Sequence, residues 1–333
     1  MPTRLKALLQ YAIILLVTIF LIWFSLRSIT VREGENKWDY IVGAWKMADK
    51  GWLAVMAVFA IFSHIVRAMR WKMLIESTGN QVRLSASFLS LMVGYLVNLV
   101  IPRGGEVTRC YNLYKLDKAP VEVTFGTVVV ERIVDLICLC LLIVLAFILE
   151  SGKLLSFIET LPLQFSGTTD RLFAIIYAVL ALTFLMAIAY WLVRKNRRIS
   201  DFFLKTWQGM KSGLLSVFQL NNKGLFVFYS GLIWVLYFFM SYAVIRAFQT
   251  TSHLGFQAVI SLFGIGSIAM AAPLPGGTGA YHVLVPQGLS FLYGLELKDA
   301  VALTFVFHGW QTLIMIAGGA FSLIVSSLIT KKK

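Results

Sequence analysis

Glu131, Arg132 and Asp135 lie near the middle of an apolar run at 121–149. A charge at a bilayer centre costs about 2.5 to 3.5 kcal/mol, so such residues persist where they face a protein interior and find partners. At helical spacing Glu131 and Asp135 share a face, while Arg132 is rotated by about 100° toward a different neighbour. Two carboxylates in a low-dielectric setting gain proton affinity, which suits proton coupling or contact with a cationic headgroup. The same residues equally suit structural ion pairs with Arg109 or Arg67.

A second constellation reads Pro102-Arg103-Gly104-Gly105-Glu106-Val107-Thr108-Arg109. Proline ends one helix, and the glycines let backbone amides of the next approach a ligand closely. Unpaired N–H groups and the helix dipole favour an anion there, and Arg103 and Arg109 add full charges. A phosphate-bearing headgroup is the expected guest. Pro273-Leu274-Pro275-Gly276-Gly277-Thr278-Gly279-Ala280-Tyr281-His282 offers a second such start, where Gly276, Gly277 and Thr278 would meet the headgroup. His282 could bind an oxygen there or relay a proton. His64 and Arg67 are further candidates, whereas Arg70 and Lys72 read as anchors at a span end. Both His282 and His308 equally suit a plain hydrogen bond to backbone, and His253, in a short outer loop, carries little signal. No zinc-protease, Walker or nucleophile-elbow pattern occurs, and Cys110, Cys138 and Cys140 form no metal or disulfide framework. No metal or cofactor is expected.

These residues must be held by helices in a membrane. The chain is 59% hydrophobic and 14% charged, with mean hydropathy +0.79, against about 25% charged for soluble domains. The expected fold is an all-α polytopic membrane protein, a single domain over 1–333 with about eight hydrophobic helices. Spans are expected at 7–26, 52–71, 84–101, 121–149, 171–193, 224–247, 256–272 and 299–327. The first follows Arg4 and Lys6 without a convincing cleavage site and reads as an uncleaved helix. The net charge of +14 clusters in short loops, where it sets topology rather than binding nucleic acid.

The segments 104–118 and 279–294 are too short or too polar to cross comfortably, and each follows a Pro-Gly-Gly break. If both fold back as hairpin legs, the basic loop carrying Arg194, Lys195, Arg197, Arg198, Lys205 and Lys211 falls inside with Lys331, Lys332 and Lys333. The loops at 27–50 and 150–170 then fall outside. Both termini are expected in the cytoplasm. Residues 84–149 and 256–327 become hairpin-plus-span units of opposite orientation, an inverted repeat of the kind transporters use. Residues 199–219 alternate apolar and basic faces, as in a helix lying on the cytoplasmic leaflet against anionic lipids.

The stretch from Asn98 through Arg109, the Glu131-Arg132-Ile133-Val134-Asp135 motif and residues 273–279 resemble the transmembrane region of lysylphosphatidylglycerol synthases, which also occurs alone as a flippase-like family. The resemblance covers nearly the whole chain. It implies a bacterial or archaeal inner-membrane protein that moves lipid between leaflets, with Asn98 joining the motif residues. No soluble aminoacyl-transferase domain follows the last span before Lys333, so lysine transfer is not expected. His282 stands where the family commonly has glutamate.

The leading expectation is a flippase for a membrane lipid or a polyprenyl-phosphate-linked substrate. In it Arg103, Arg109 and the helix starts receive phosphate, and Glu106, Glu131, Arg132, Asp135 and His282 gate or couple movement. The alternatives are an intramembrane polyprenyl-pyrophosphate phosphatase, with Glu131 and Asp135 as acid/base or metal-holding groups, and a non-catalytic membrane subunit.

Overall fold

The computed structural model describes residues 16, 19–20, 22–26, 36–160, 207–272 and 274–331. Among them every regular element is a helix, with no strand. The expected span at 171–193, most of that at 7–26, and residues 199–206 of the amphipathic segment lie outside the described residues.

The elements among the described residues are α1 (Lys37–Met47), α2 (Lys50–Glu76), α3 (Leu84–Asn98), α4 (Gly104–Asp117), α5 (Val121–Thr160), α6 (Lys223–Ala247), α7 (Phe256–Ala271), α8 (Ala280–Tyr293) and α9 (Leu297–Lys331), with a 3-10 turn, Pro275–Gly277, before α8. Side-chain caps set several starts. Asn36 accepts from the Trp38 amide at 3.1 Å, Asp49 from Gly51 at 2.7 Å and Trp52 at 3.2 Å, and Asn222 from Leu225 at 2.9 Å. Helix α1 was not anticipated, because its mixed charges read as a loop.

Helices α2, α6 and α9 are each long and apolar enough to cross a bilayer. Helix α5 is longer still but carries the polar trio. Four of the remaining five helices form two pairs, α3 with α4 and α7 with α8, each pair packed leg against leg. At 14 to 16 residues per leg, each spans about 21 to 24 Å, short of the roughly 30 Å hydrocarbon thickness.

Backbone contact makes the first hairpin tight. A Cβ on Gly94 would sit 2.9 Å from the Gly105 carbonyl oxygen, and one on Gly105 would strike the Gly94 oxygen and the Asn98 side chain. The other end of this hairpin is clamped by Arg83, whose amide and Nε each donate to Asp117 at 2.8 Å. Those bonds hold the half-exposed guanidinium above its ordinary pKa.

In the second hairpin, Pro286 inside α8 has no N–H for the carbonyl four residues back, that of His282. The Ser25 hydroxyl donates to that carbonyl at 2.5 Å. Helix α9 ties the two hairpins together. Its Gly319 lies under Leu96 and the Met92 carbonyl of α3, while its His308 Nε2 meets the Gly276 carbonyl at 3.0 Å.

One apolar core gathers the N-terminal half of α2 with α6, α7, α8 and α9. A second, around Trp71, Cys110 and Leu113, packs the far end of α2 against α3, α4 and α5. Residues 207–215 are helical and dock on α5 through glycine: a Cβ on Gly213 would strike the Val123 carbonyl, and one on Gly126 the Met210 carbonyl. In this segment Leu214 and Val217 pack inward, and Lys211, Trp207 and Phe218 are exposed.

Candidate functional site

Counting at 1.5 Å per residue, Glu131 lies about 15 Å along α5 and Arg67 and Arg70 about 13 and 9 Å from the C-terminal end of α2. The charges therefore sit deep between helices. Arg67 pairs with Asp135, and Arg70 donates to Asp135 at 2.8 Å and to Glu131 at 3.4 Å. Arg109, from α4, donates to the other oxygen of Glu131 at 2.6 Å. All four carboxylate oxygens are thus held by guanidinium groups. Both Arg70 and Glu131 have fully buried side chains, and Arg109 is only 6% exposed.

The geometry follows from helical spacing. Arg67 and Arg70, one turn apart on α2, face Glu131 and Asp135, one turn apart on α5. Arg109 stacks on Trp71, 4.7 Å from the ring centroid, and Trp71 in turn donates to Thr127 at 3.0 Å. Arg67 also donates to the Tyr237 hydroxyl at 3.0 Å, and Arg70 reaches Ser230 at 3.4 Å.

Among the described residues three guanidiniums face two carboxylates, leaving one positive charge in excess. The same network leaves hydrogen-bonding capacity unused. The Nε atoms of Arg70 and Arg109, the Tyr95 hydroxyl and His64 Nδ1 are buried without a partner among the described residues. The His64 and Tyr95 rings pack at 4.8 Å.

Arg132 turns to a separate face of α5 and pairs with Glu106 of α4, remaining half exposed. The other oxygen of Glu106 is buried and unpartnered. Arg103 stands exposed at the break in a left-handed conformation, φ 61°, with no side-chain partner among the described residues.

The first helix start differs from the sequence expectation. Gly104 donates its amide to the Ile101 carbonyl at 3.0 Å and Gly105 donates to Asn98 Oδ1 at 2.8 Å. Two of the first four amides of α4 are thereby used internally, and the glycines serve close helix packing. At the second start, Gly277 donates to the Leu274 carbonyl and Thr278 to that of Pro275, both at 3.0 Å. The Gly279 amide faces His282 Nδ1 at 3.4 Å. The 282 and 308 imidazoles meet edge to face at 4.9 Å, and Tyr281 stacks on His308 at 5.2 Å.

Gly276, in the second break, is in contact with the first: a Cβ there would lie 3.0 Å from Leu99 Cδ2. The structure therefore brings the two breaks together. It gathers Arg67, Arg109, Glu131 and Asp135 into one network, keeps Glu106 with Arg132 beside it, and leaves Gly276, Gly277, Thr278 and His282 in an uncharged cluster.

Arg70 is a correction. It is no anchor at a span end but the centre of the network, because α2 continues to Glu76 and places it well inside. Its spacing of three from Arg67, matched to the acidic pair on α5, was the signal. Tyr95 and Tyr237 carried no such signal, since an aromatic residue in an apolar run looks like packing.

Residues 7–319 match the family described as the lysylphosphatidylglycerol synthase TM region. The chain belongs to that family. Among its relatives, a UPF0104 membrane protein of Methanocaldococcus jannaschii is 30% identical over 100 residues, covering 29% of this chain and 30% of its own length. Glycosyltransferase AglD of Haloferax volcanii is 25% identical across 83% of this chain, which spans 49% of that protein. A UPF0104 membrane protein of Methanothermobacter thermautotrophicus is 24% identical, with 80% of this chain and 81% of the relative covered. No solved structure matches. As a family member the chain is a membrane protein of apolar helices.

Proposed function

We propose that this protein carries the phosphate-bearing headgroup of a membrane lipid or lipid-linked glycan from one leaflet to the other. The observation that carries this reading is the surplus positive charge of the Arg67, Arg70 and Arg109 network, buried beside two touching helix breaks with donors left open. A buried surplus charge is costly unless a counter-ion visits it, and a phosphate is a fitting visitor for guanidinium forks. Arg103, exposed and unpaired at the break, is suited to first contact, and the Glu106–Arg132 pair to gating.

The two hairpins, each followed by a long helix, are read as inverted repeat units over 84–149 and 256–327. The orientation that places basic loops inside gives a cytoplasmic-membrane protein with both termini in the cytoplasm. The name of the Haloferax relative supports extending the substrate class to lipid-linked glycans. Phosphatase chemistry is less well supported, because no oxygen of Glu131 or Asp135 is free of arginine to hold a metal or move a proton.

Leaflet-resolved labelling in proteoliposomes tests the proposal. Wild type is expected to accelerate exchange of a fluorescent anionic phospholipid over empty vesicles, and the Glu131→Ala, Asp135→Ala double variant to lose that acceleration. Equal rates for both proteins would defeat it.

A further inference from the structure

An ammonium group entering the network would meet carboxylate oxygens that each already receive a guanidinium bond. It would also meet the excess positive charge. Glu106 keeps one unpartnered oxygen, but Arg132 occupies the other and neutralises the carboxylate.

The groups left open around Arg67 are of another kind. Tyr237 accepts from Arg67 and keeps its own proton to donate. The buried Tyr95 hydroxyl, with no partner, can both donate and accept, and His64 Nδ1 beside it is also unpartnered. His64 lies one turn before Arg67 on α2, and its ring packs against Tyr95 at 4.8 Å. Two hydroxyls and an imidazole nitrogen thus gather about one guanidinium. A buried hydroxyl without a partner is destabilising unless a ligand or water completes it. The partner that satisfies such neutral donor-acceptors is another hydroxyl.

We infer that the site selects lipids whose phosphate carries a neutral, hydroxylated group, such as a polyol or sugar, over lipids whose headgroup ends in an ammonium. Arg67, Arg70 and Arg109 take the phosphate, and Tyr95, Tyr237 and His64 read the hydroxyls. The inference rests on the headgroup reading above and adds what is attached to the phosphate.

The test measures binding of short-chain phosphatidylinositol, phosphatidylglycerol, phosphatidylethanolamine and phosphatidic acid to the full chain in detergent. The first two are expected to bind at least tenfold more tightly than phosphatidylethanolamine. Tyr95→Phe should weaken phosphatidylinositol and phosphatidylglycerol about five- to tenfold and leave phosphatidic acid within twofold, a pattern that general unfolding cannot produce. Tyr237→Phe should give the same pattern.

Phosphatidylethanolamine binding within twofold of phosphatidylglycerol, or a uniform loss across all four lipids in both variants, would overturn the inference while leaving the headgroup reading intact. Failure of wild type to bind any of the four would defeat both. Displacement of bound lipid by equimolar soluble glycerol 3-phosphate would overturn a lipid as the ligand.

Discussion

The first break, at Pro102 and Gly104, leads within two turns to Glu106 and Arg109 and so to a lattice of guanidinium and carboxylate groups. The second, at Pro275 and Gly276, is surrounded by Tyr281, His282 and His308 and holds itself with backbone bonds. The two touch through Leu99 and Gly276. A charged wall and an uncharged wall therefore meet at one point between helices. The charged side supplies attraction for an anion, and the uncharged side supplies a rigid bend that α9 pins through His308. If that division is right, substitutions on the two sides should differ in both stability and transport.

The largest effect is expected from Glu131→Gln, which strips a buried charge from between Arg70 and Arg109. Breaking a buried ion pair by removing one partner costs about 3 to 5 kcal/mol. Thermal melting in detergent should show it as a marked drop in midpoint.

Next comes Gly105→Ala, whose methyl group would press on the Gly94 carbonyl and Asn98. Overpacking of this kind costs about 1 to 3 kcal/mol, read in the same melt. Gly276→Ala, forced into a left-handed conformation, should cost about 1 to 2 kcal/mol and leave the ion pairs intact. Equal losses of charge-network integrity from both alanines would blur the two walls into one.

On the uncharged side, Ser25→Ala removes the donor to the carbonyl that Pro286 leaves open, at a cost of about 1 to 3 kcal/mol. It should slow transport little. The smallest effect belongs to Arg83→Ala at the exposed clamp with Asp117, about 0 to 1 kcal/mol, and added salt should shrink it further.

Much of the scaffold was legible because hydropathy and proline-glycine punctuation report directly on helix ends. The run beginning at Lys223 and the breaks at Pro102 and Pro275 appear where sequence placed them. Helix α1 escaped because Lys37, Asp39 and Lys46 resemble loop charges, although Asn36 is a capping residue. Helix α5 extends to Thr160, past the expected end at 149, because no proline interrupts residues 150–160.

The site was half legible. Buried charge announced Glu131, Asp135 and Arg67, whereas Arg70 was hidden by placing the end of its span at residue 71. Tyr95 and Tyr237 depend on which helices face each other, and that is a tertiary property. The glycines of 104–105 suggest amides open to a ligand, whereas in the structure those amides are spent on Ile101 and Asn98.

The central claim is that the charged wall, and not the uncharged one, receives the headgroup. Leaflet exchange of a fluorescent anionic phospholipid should be measured in proteoliposomes bearing wild type, Arg109→Gln or His282→Gln, each eluting as the folded protein. The account predicts at least a tenfold slowing for Arg109→Gln and a rate within about twofold of wild type for His282→Gln. Undiminished exchange in Arg109→Gln would contradict it.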